Sequence, residues 1–250
     1  MRFCRTILVL VVTFAVKARG DFAVGFDDFP MQRAALEARL AKDTNNLEVL
    51  LELGKLLHNE AALEKSHPKD LVHEAEKMFR RALAISPTNV FAQVMMGSTV
   101  VMTAREAFLP TTKIHTVKKG LEQMDAACTC APENCEVRFA RASNNTFLPE
   151  LFHRRALVVS DFDWLIAHIK EHPHEHPTEL QQYVYLYYGV ASQRFGEKEK
   201  ARTLLQTGLE IDPKSKVAER LRSQMETLVD KKKHDDIASS KSGHVSEPKH

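Results

Sequence analysis

Four histidines crowd one short stretch of the chain, "HIKEHPHEH": His168, His172, His174 and His176. His168 and His172 stand four residues apart, on one face of a helix, a spacing that can hold Zn²⁺ or another transition metal. His172 and His174, however, flank Pro173, where a helix must stop, and imidazoles there also suit the negative end of a helix. A solvated histidine-rich turn is the preferred reading of the stretch. The four side chains are kept as metal candidates only, and no cofactor is assigned.

Three cysteines form a second group. Cys128, Cys130 and Cys135 all lie in "CTCAPENC". Cys128 and Cys135 bracket a turn at Pro132, so a disulfide between them would staple two successive helices. Cys130–Cys135 is the competing pair, and free thiols are the third outcome. A metal site would need a fourth ligand that the local sequence lacks, and without a C-x-x-C pair there is no redox motif.

The third group is "VRFARASNNTFLPELFHRR". Arg138, Arg141 and Asn145 share a helix face by three- and four-residue spacing, with Asn144 beside them and Arg154 and Arg155 following. Guanidinium forks and amides suit a carboxylate or a peptide backbone. The reading preferred, because Arg141 stands where a packing residue belongs, is that these residues satisfy one another and nearby acids, Glu150 and Asp161 among them, as an internal polar network. Asn144-Asn145-Thr146 is also an N-glycosylation sequon, relevant if the site is exposed in a eukaryotic secretory pathway.

No other chemistry is written in the chain. It has no glycine-rich phosphate loop, no G-x-S-x-G elbow and no H-E-x-x-H. An enzyme is not expected. The 250 residues begin with Arg2 and Arg5, an apolar run from Ile7 to Val16, and small residues at Ala18 and Gly20. Residues 1–20 read as a secretory signal peptide, too short for a membrane span. An uncleaved signal anchor that tethers the chain to a membrane is the alternative. Export places the protein in the periplasm or outside the cell. Removing residues 1–20 also removes Arg2, Arg5, Lys17 and Arg19, which leaves 31 basic residues against 33 acidic ones. The formal +2 of the whole chain is therefore no sign of nucleic-acid binding, and no aromatic-studded basic patch supports it. No stable membrane insertion is expected once the signal is gone.

The elements that must carry these groups are helical. Stretches such as 68–85 and 197–211 are rich in Ala, Leu, Glu, Lys and Arg, and alternating β-branched runs are missing. "YYGVASQRFGEKEKARTLLQTGLEIDP" places Gly189, Ala201, Leu205, Gly208 and Pro213 at set offsets. "LLELGKLL" followed by "EAEKMFRRALAISP" repeats them with Gly54, Ala75, Phe79, Ala82 and Pro87. Gly120, Met124, Ala127 and Pro132 repeat them again. Asp161, Leu165, His168 and Pro173 do so in degraded form. The small residues let two helix backbones approach, and each proline ends a hairpin.

This pattern resembles the tetratricopeptide repeat (TPR), a helix–turn–helix unit of about 34 residues. The resemblance implies an all-α, right-handed superhelical solenoid of four hairpins, at about 46–89, 90–134, 135–175 and 182–213. Residues 21–45 form an N-terminal segment with a capping helix at 31–44. Residues 214–230 form a C-terminal capping helix, and 231–250 are charged, lack apolar periodicity and read as disordered. The first three units carry extra residues between their first (A) and second (B) helices, expected as lengthened helices or added turns.

The resemblance further implies a non-enzymatic scaffold or adaptor that binds a protein or peptide segment on the face lined by the A helices. Carried over by position, the contact residues are Glu48, Leu51, Lys55 and His58 in the first unit. They are Phe91, Val94 and Ser98 in the second, and Tyr183, Leu186, Val190 and Gln193 in the fourth. Tyr183 is the leading single contact. Arg138, Arg141 and Asn145 join this set from the third unit. The alternative function is a metal- or small-ligand-binding protein that uses the His168–His176 turn or the Arg/Asn cluster.

Overall fold

A computed structural model describes residues 29–63 and 69–228. Residues 1–20, with the expected signal, and the expected tail at 231–250 fall outside the described residues. Every regular element among those described is helical. In chain order they are α1 (Phe29–Lys42), α2 (Leu47–Leu63), α3 (Lys69–Ile85), α4 (Val90–Thr103) and α5 (Pro110–Cys130). There follow α6 (Cys135–Asn145), a 3₁₀ turn (Glu150–Phe152), α7 (Arg155–Glu171), α8 (Thr178–Arg194) and α9 (Lys198–Ile211). A last helix, α10, spans 216–228. The described residues divide into two compact units, one up to residue 168 and one from residue 169 on.

Four helix starts, those of α2, α4, α6 and α10, share one device. The side chains of Asn46, Asn89 and Asn134 accept hydrogen bonds from the backbone N–H of Val49, Ala92 and Val137, at 3.1, 2.8 and 3.0 Å. Ser215 Oγ does the same for Ala218 N at 3.0 Å. Each cap satisfies one of the orphan amides at a helix start. Three of the four caps stand two residues after a proline, in Pro87-Thr88-Asn89, Pro132-Glu133-Asn134 and Pro213-Lys214-Ser215. Proline ends one hairpin and the cap opens the next.

In the first unit α2 pairs with α3 and α4 with α5, while α3 packs on α4 and α1 covers α2. The A helices α2, α4 and α6 also touch in sequence. Leu50, Leu57, Phe79, Met95, Met102 and Met124 fill the space between them. α6 and α7 meet through Phe139 and Phe162, edge to face with centroids 6.3 Å apart. The extra residues of the second hairpin lengthen α5 at its start. Those of the third form the 3₁₀ turn.

In the second unit α8 and α9 form the closest match to the short hairpin pattern. A side chain on Gly189 would strike Leu205, and one on Gly208 would strike Tyr185. Gln182 is buried. Its amide donates to the carbonyls of Gly208 (3.1 Å) and Asp212 (2.9 Å), which closes the end of α9. Its carbonyl accepts from the hydroxyl of Ser215 at 2.6 Å. One side chain thus ties α8 to both the end of α9 and the cap of α10.

Candidate functional site

The A-helix face of the first unit is built over a chain of buried polar groups. Lys55, His58 and Asn59 come from α2, Ser98 from α4, and Asn144 from α6; all are buried. Ser98 Oγ lies 2.6 Å from Asn144 Oδ1 and 2.8 Å from His58 Nε2. An amide oxygen only accepts, so the serine hydroxyl donates to it and must accept from the histidine. His58 therefore carries its proton on Nε2. Asn144 Nδ2 then donates to Ala140 O at 2.7 Å. The relay pins three successive A helices at one level.

Burial, with the charge of Arg105 nearby, drives the pKa of His58 down to about 3, so the ring is neutral. Asn59 offers the ring a polar contact. Neither His58 Nδ1 nor the Asn59 amide has a hydrogen bond of ordinary geometry among the described residues. Burial also lowers the Lys55 ammonium to about 8, against the opposing pull of Glu136 and Glu52. Glu136 is pushed up by the same desolvation and held back by Lys55.

Around this floor the expected contact residues separate. Glu48 is exposed, and Leu51 and Phe91 are half-buried, packed on the core while keeping a free face. Lys55, His58 and Ser98 lie beneath the surface. Val94 is a correction: it is fully buried within the core of this unit and offers nothing to a partner.

Of the two readings of Arg138, Arg141 and Asn145 the internal network is the one formed, which corrects only their place among the partner contacts. The two arginines close on acids of neighbouring helices and Asn145 on Arg154 and the Arg141 carbonyl, so the three do not present an open patch. Arg138 donates to Asp161 Oδ1 at 2.9 Å. Arg141 grips both oxygens of Asp161 at 2.8 Å and reaches Asp125 at 3.3 Å. Arg154 forks onto Asp125 at 2.9 and 2.5 Å and donates to Asn145 Oδ1 at 2.9 Å. Asn145 Nδ2 donates to Arg141 O. The network staples α5, α6 and α7. Asp125 and Asp161 fill the roles in which Glu150 and Asp161 were expected. The sequon asparagine Asn144 is buried and bonded at both ends of its amide.

Cys128, Cys130 and Cys135 are not joined in a disulfide, so the expected Cys128–Cys135 bridge is not formed. Cys128 Sγ instead donates to Val137 O at 3.5 Å, and burial raises its pKa to about 12. That rules it out as a thiolate nucleophile near neutral pH. Of the histidine turn, His168 stacks on Trp164 with centroids 4.7 Å apart, and Arg138 lies over the same indole at 4.4 Å. His172 pairs with Glu175 at 3.4 Å on the surface. His174 is exposed, and the carbonyl of His176 accepts from Gln181 at 3.0 Å.

In the second unit α10 lies along α8 and takes the positions expected to meet a partner. Tyr183 and Leu186 are buried, with Arg220 of α10 close to the Tyr183 hydroxyl, and Val190 is half-buried. Gln193 bonds Thr227 at 3.1 Å and also Gln224. Tyr183 is thus a core residue, contrary to its assignment as the leading contact, because the terminal helix covers the face that an A helix would otherwise leave open.

No protein-family model matches the chain, and no curated protein matches it by sequence. Among solved structures it is similar to a thermophilic TPR protein of Thermus thermophilus, at 14% identity with a TM-score of 0.61. The similarity covers 79% of this chain and 90% of that one. The fold is that of a TPR solenoid, as the spacing of the small residues and prolines implies.

Proposed function

We propose that the protein is a non-enzymatic scaffold that holds a segment of a partner protein on the α2–α4–α6 face of its first unit. The TPR fold supports a protein partner, since such repeats present stacked A helices as an extended surface. One observation carries the location. Leu51 and Phe91 keep partly exposed apolar faces beside exposed Glu48, above a floor fixed by the His58–Ser98–Asn144 relay. Apolar anchors on a rigid floor suit an extended or helical segment with apolar side chains at intervals. The other expected contacts are sealed in the core, closed in the arginine network or covered by α10.

Export to the periplasm or the cell exterior belongs to the same proposal and rests on residues 1–20. The test is capture from the exported fraction with the full chain as bait. A Leu51→Asp/Phe91→Asp double variant with unchanged helical circular dichroism should lose a partner that wild type retains. Equal capture by both would reject this face.

A further inference from the structure

One edge of the first unit carries apolar side chains that the fold leaves outside. Phe108 is 96% exposed and Leu109 56% exposed, side by side between α4 and α5. Their turn is ordered. Arg105 N and Glu106 N donate to Met102 O and Thr103 O, and Pro110 starts α5 directly behind. The insert after α6 leaves the same edge. Ser98, five residues before the end of α4, bonds Asn144, one residue before the end of α6, so the two helices run out toward one edge, with α4 reaching about 6 Å further. On that second insert Leu151 is 60% exposed, while Leu148 and Phe152 pack against the core and hold the turn in place. Both inserts contain Phe-Leu-Pro, at 108–110 and 147–149. The later copy turns its Leu inward and the earlier one turns Phe and Leu out.

The charge behind these tips leans one way. From residue 107 to 121 the chain carries Lys113, Lys118 and Lys119, with His115, and no acid before Glu122, while Arg105 lies inward near His58. Glu106 is met by His73 at 3.2 Å. His115, Lys118 and Lys119 are exposed along α5. On the second insert Glu150 is followed in the chain by His153 and Arg155, and Arg154 is closed on Asp125. Apolar side chains projecting from loop tips, with bases behind them, fit an anionic bilayer surface. There the tips enter the headgroup region and the bases meet lipid phosphates. A protein partner would need a pocket shaped to each tip, whereas a bilayer needs none. None of the described helices is long and apolar enough to cross a membrane, so such docking is peripheral.

We propose that this edge docks on anionic lipid through Phe108, Leu109 and Leu151, at a surface separate from the α2–α4–α6 face. The test uses the full chain. Trp164 is the only tryptophan, so a Trp164→Phe background carrying Phe108→Trp places one indole at the tip. Ile85→Trp in the same background places it at the far end of α3 as a control. Vesicles of phosphatidylcholine with phosphatidylglycerol brominated in the acyl chains should quench the indole at position 108 and spare that at position 85. Vesicles of phosphatidylcholine alone, with its own acyl chains brominated to the same extent, should quench neither. In flotation, where Trp164 is retained, Phe108→Ser/Leu109→Ser should weaken partition to the anionic vesicles roughly tenfold or more. An unquenched tip would overturn the proposal even for a chain held to vesicles by its N-terminal segment. Equal quenching at both positions, or equal quenching without anionic lipid, would also overturn it.

Discussion

Gly97 of α4 and Gly120 of α5 meet backbone to backbone. A Cβ on Gly97 would stand 2.7 Å from the carbonyl oxygen of Gly120, and one on Gly120 would stand 2.5 Å from that of Gly97. Neither contact can be relieved by turning a side chain. Gly97→Ala and Gly120→Ala should each cost about 1–3 kcal/mol, at the upper end of that range or beyond, because the helices must separate. Gly189→Ala strikes the Leu205 side chain, which can shift, and should cost less. Chemical denaturation of the three variants orders them.

Asp161 is the hub of the arginine network, with a side chain only 1% exposed between Arg138 and Arg141. Asp161→Asn keeps the shape but leaves two guanidinium groups short of their counter-charge. The loss should be roughly 3–5 kcal/mol, typical of breaking a buried ion pair from one side. Replacing Glu150, on the exposed turn, should change stability by less than about 0.5 kcal/mol. The pair of melting curves separates a structural network from an open ligand patch.

The sequence displays the hairpins because their signals are local. Gly54, Gly120, Gly189 and the prolines at 87, 132 and 213 stand at positions that only close helix packing and helix ends explain. The caps at Asn46, Asn89, Asn134 and Ser215 were equally visible, two residues after a proline in three cases, and would have sharpened the helix starts. The site was harder to read because its residues are defined by what covers them. Tyr183 holds an A-helix surface position, yet α10 lies over it. Arg138 and Arg141 look like an anion clamp until Asp125 arrives from α5, thirteen residues before Arg138 and on a different helix. Repeat offsets fix which way a side chain points. They do not fix whether another element fills the space in front of it.

His58 makes stability depend on pH. Its pKa is about 3 in the folded protein against 6.5 for the ordinary side chain. Between those values the unfolded chain binds the proton and the folded one does not, so stability rises with pH across that window. Acidifying to pH 3 should cost roughly 4–5 kcal/mol from this group alone. Glu136, pushed up by burial, tilts the other way. The comparison that isolates His58 is therefore wild type against His58→Gln, whose urea midpoint should vary less between pH 4 and 7.

The sequon at Asn144 is closed in the folded protein. Expressed through a eukaryotic secretory pathway, the correctly folded fraction should carry no glycan there, and intact mass should show none. A glycan would need the space of the Ser98 and Ala140 contacts, so any modified chains should be found only in misfolded material.

The central claim is that a partner segment lies across α2 and α4 of the first unit. A photo-crosslinking amino acid at position 91, with a second version at position 85 as control, tests it most directly in the native exported fraction. The account predicts one dominant adduct from position 91, absent from position 85 and abolished by Leu51→Asp. Adducts of equal yield from both positions, or a position-91 adduct indifferent to Leu51→Asp, would contradict it.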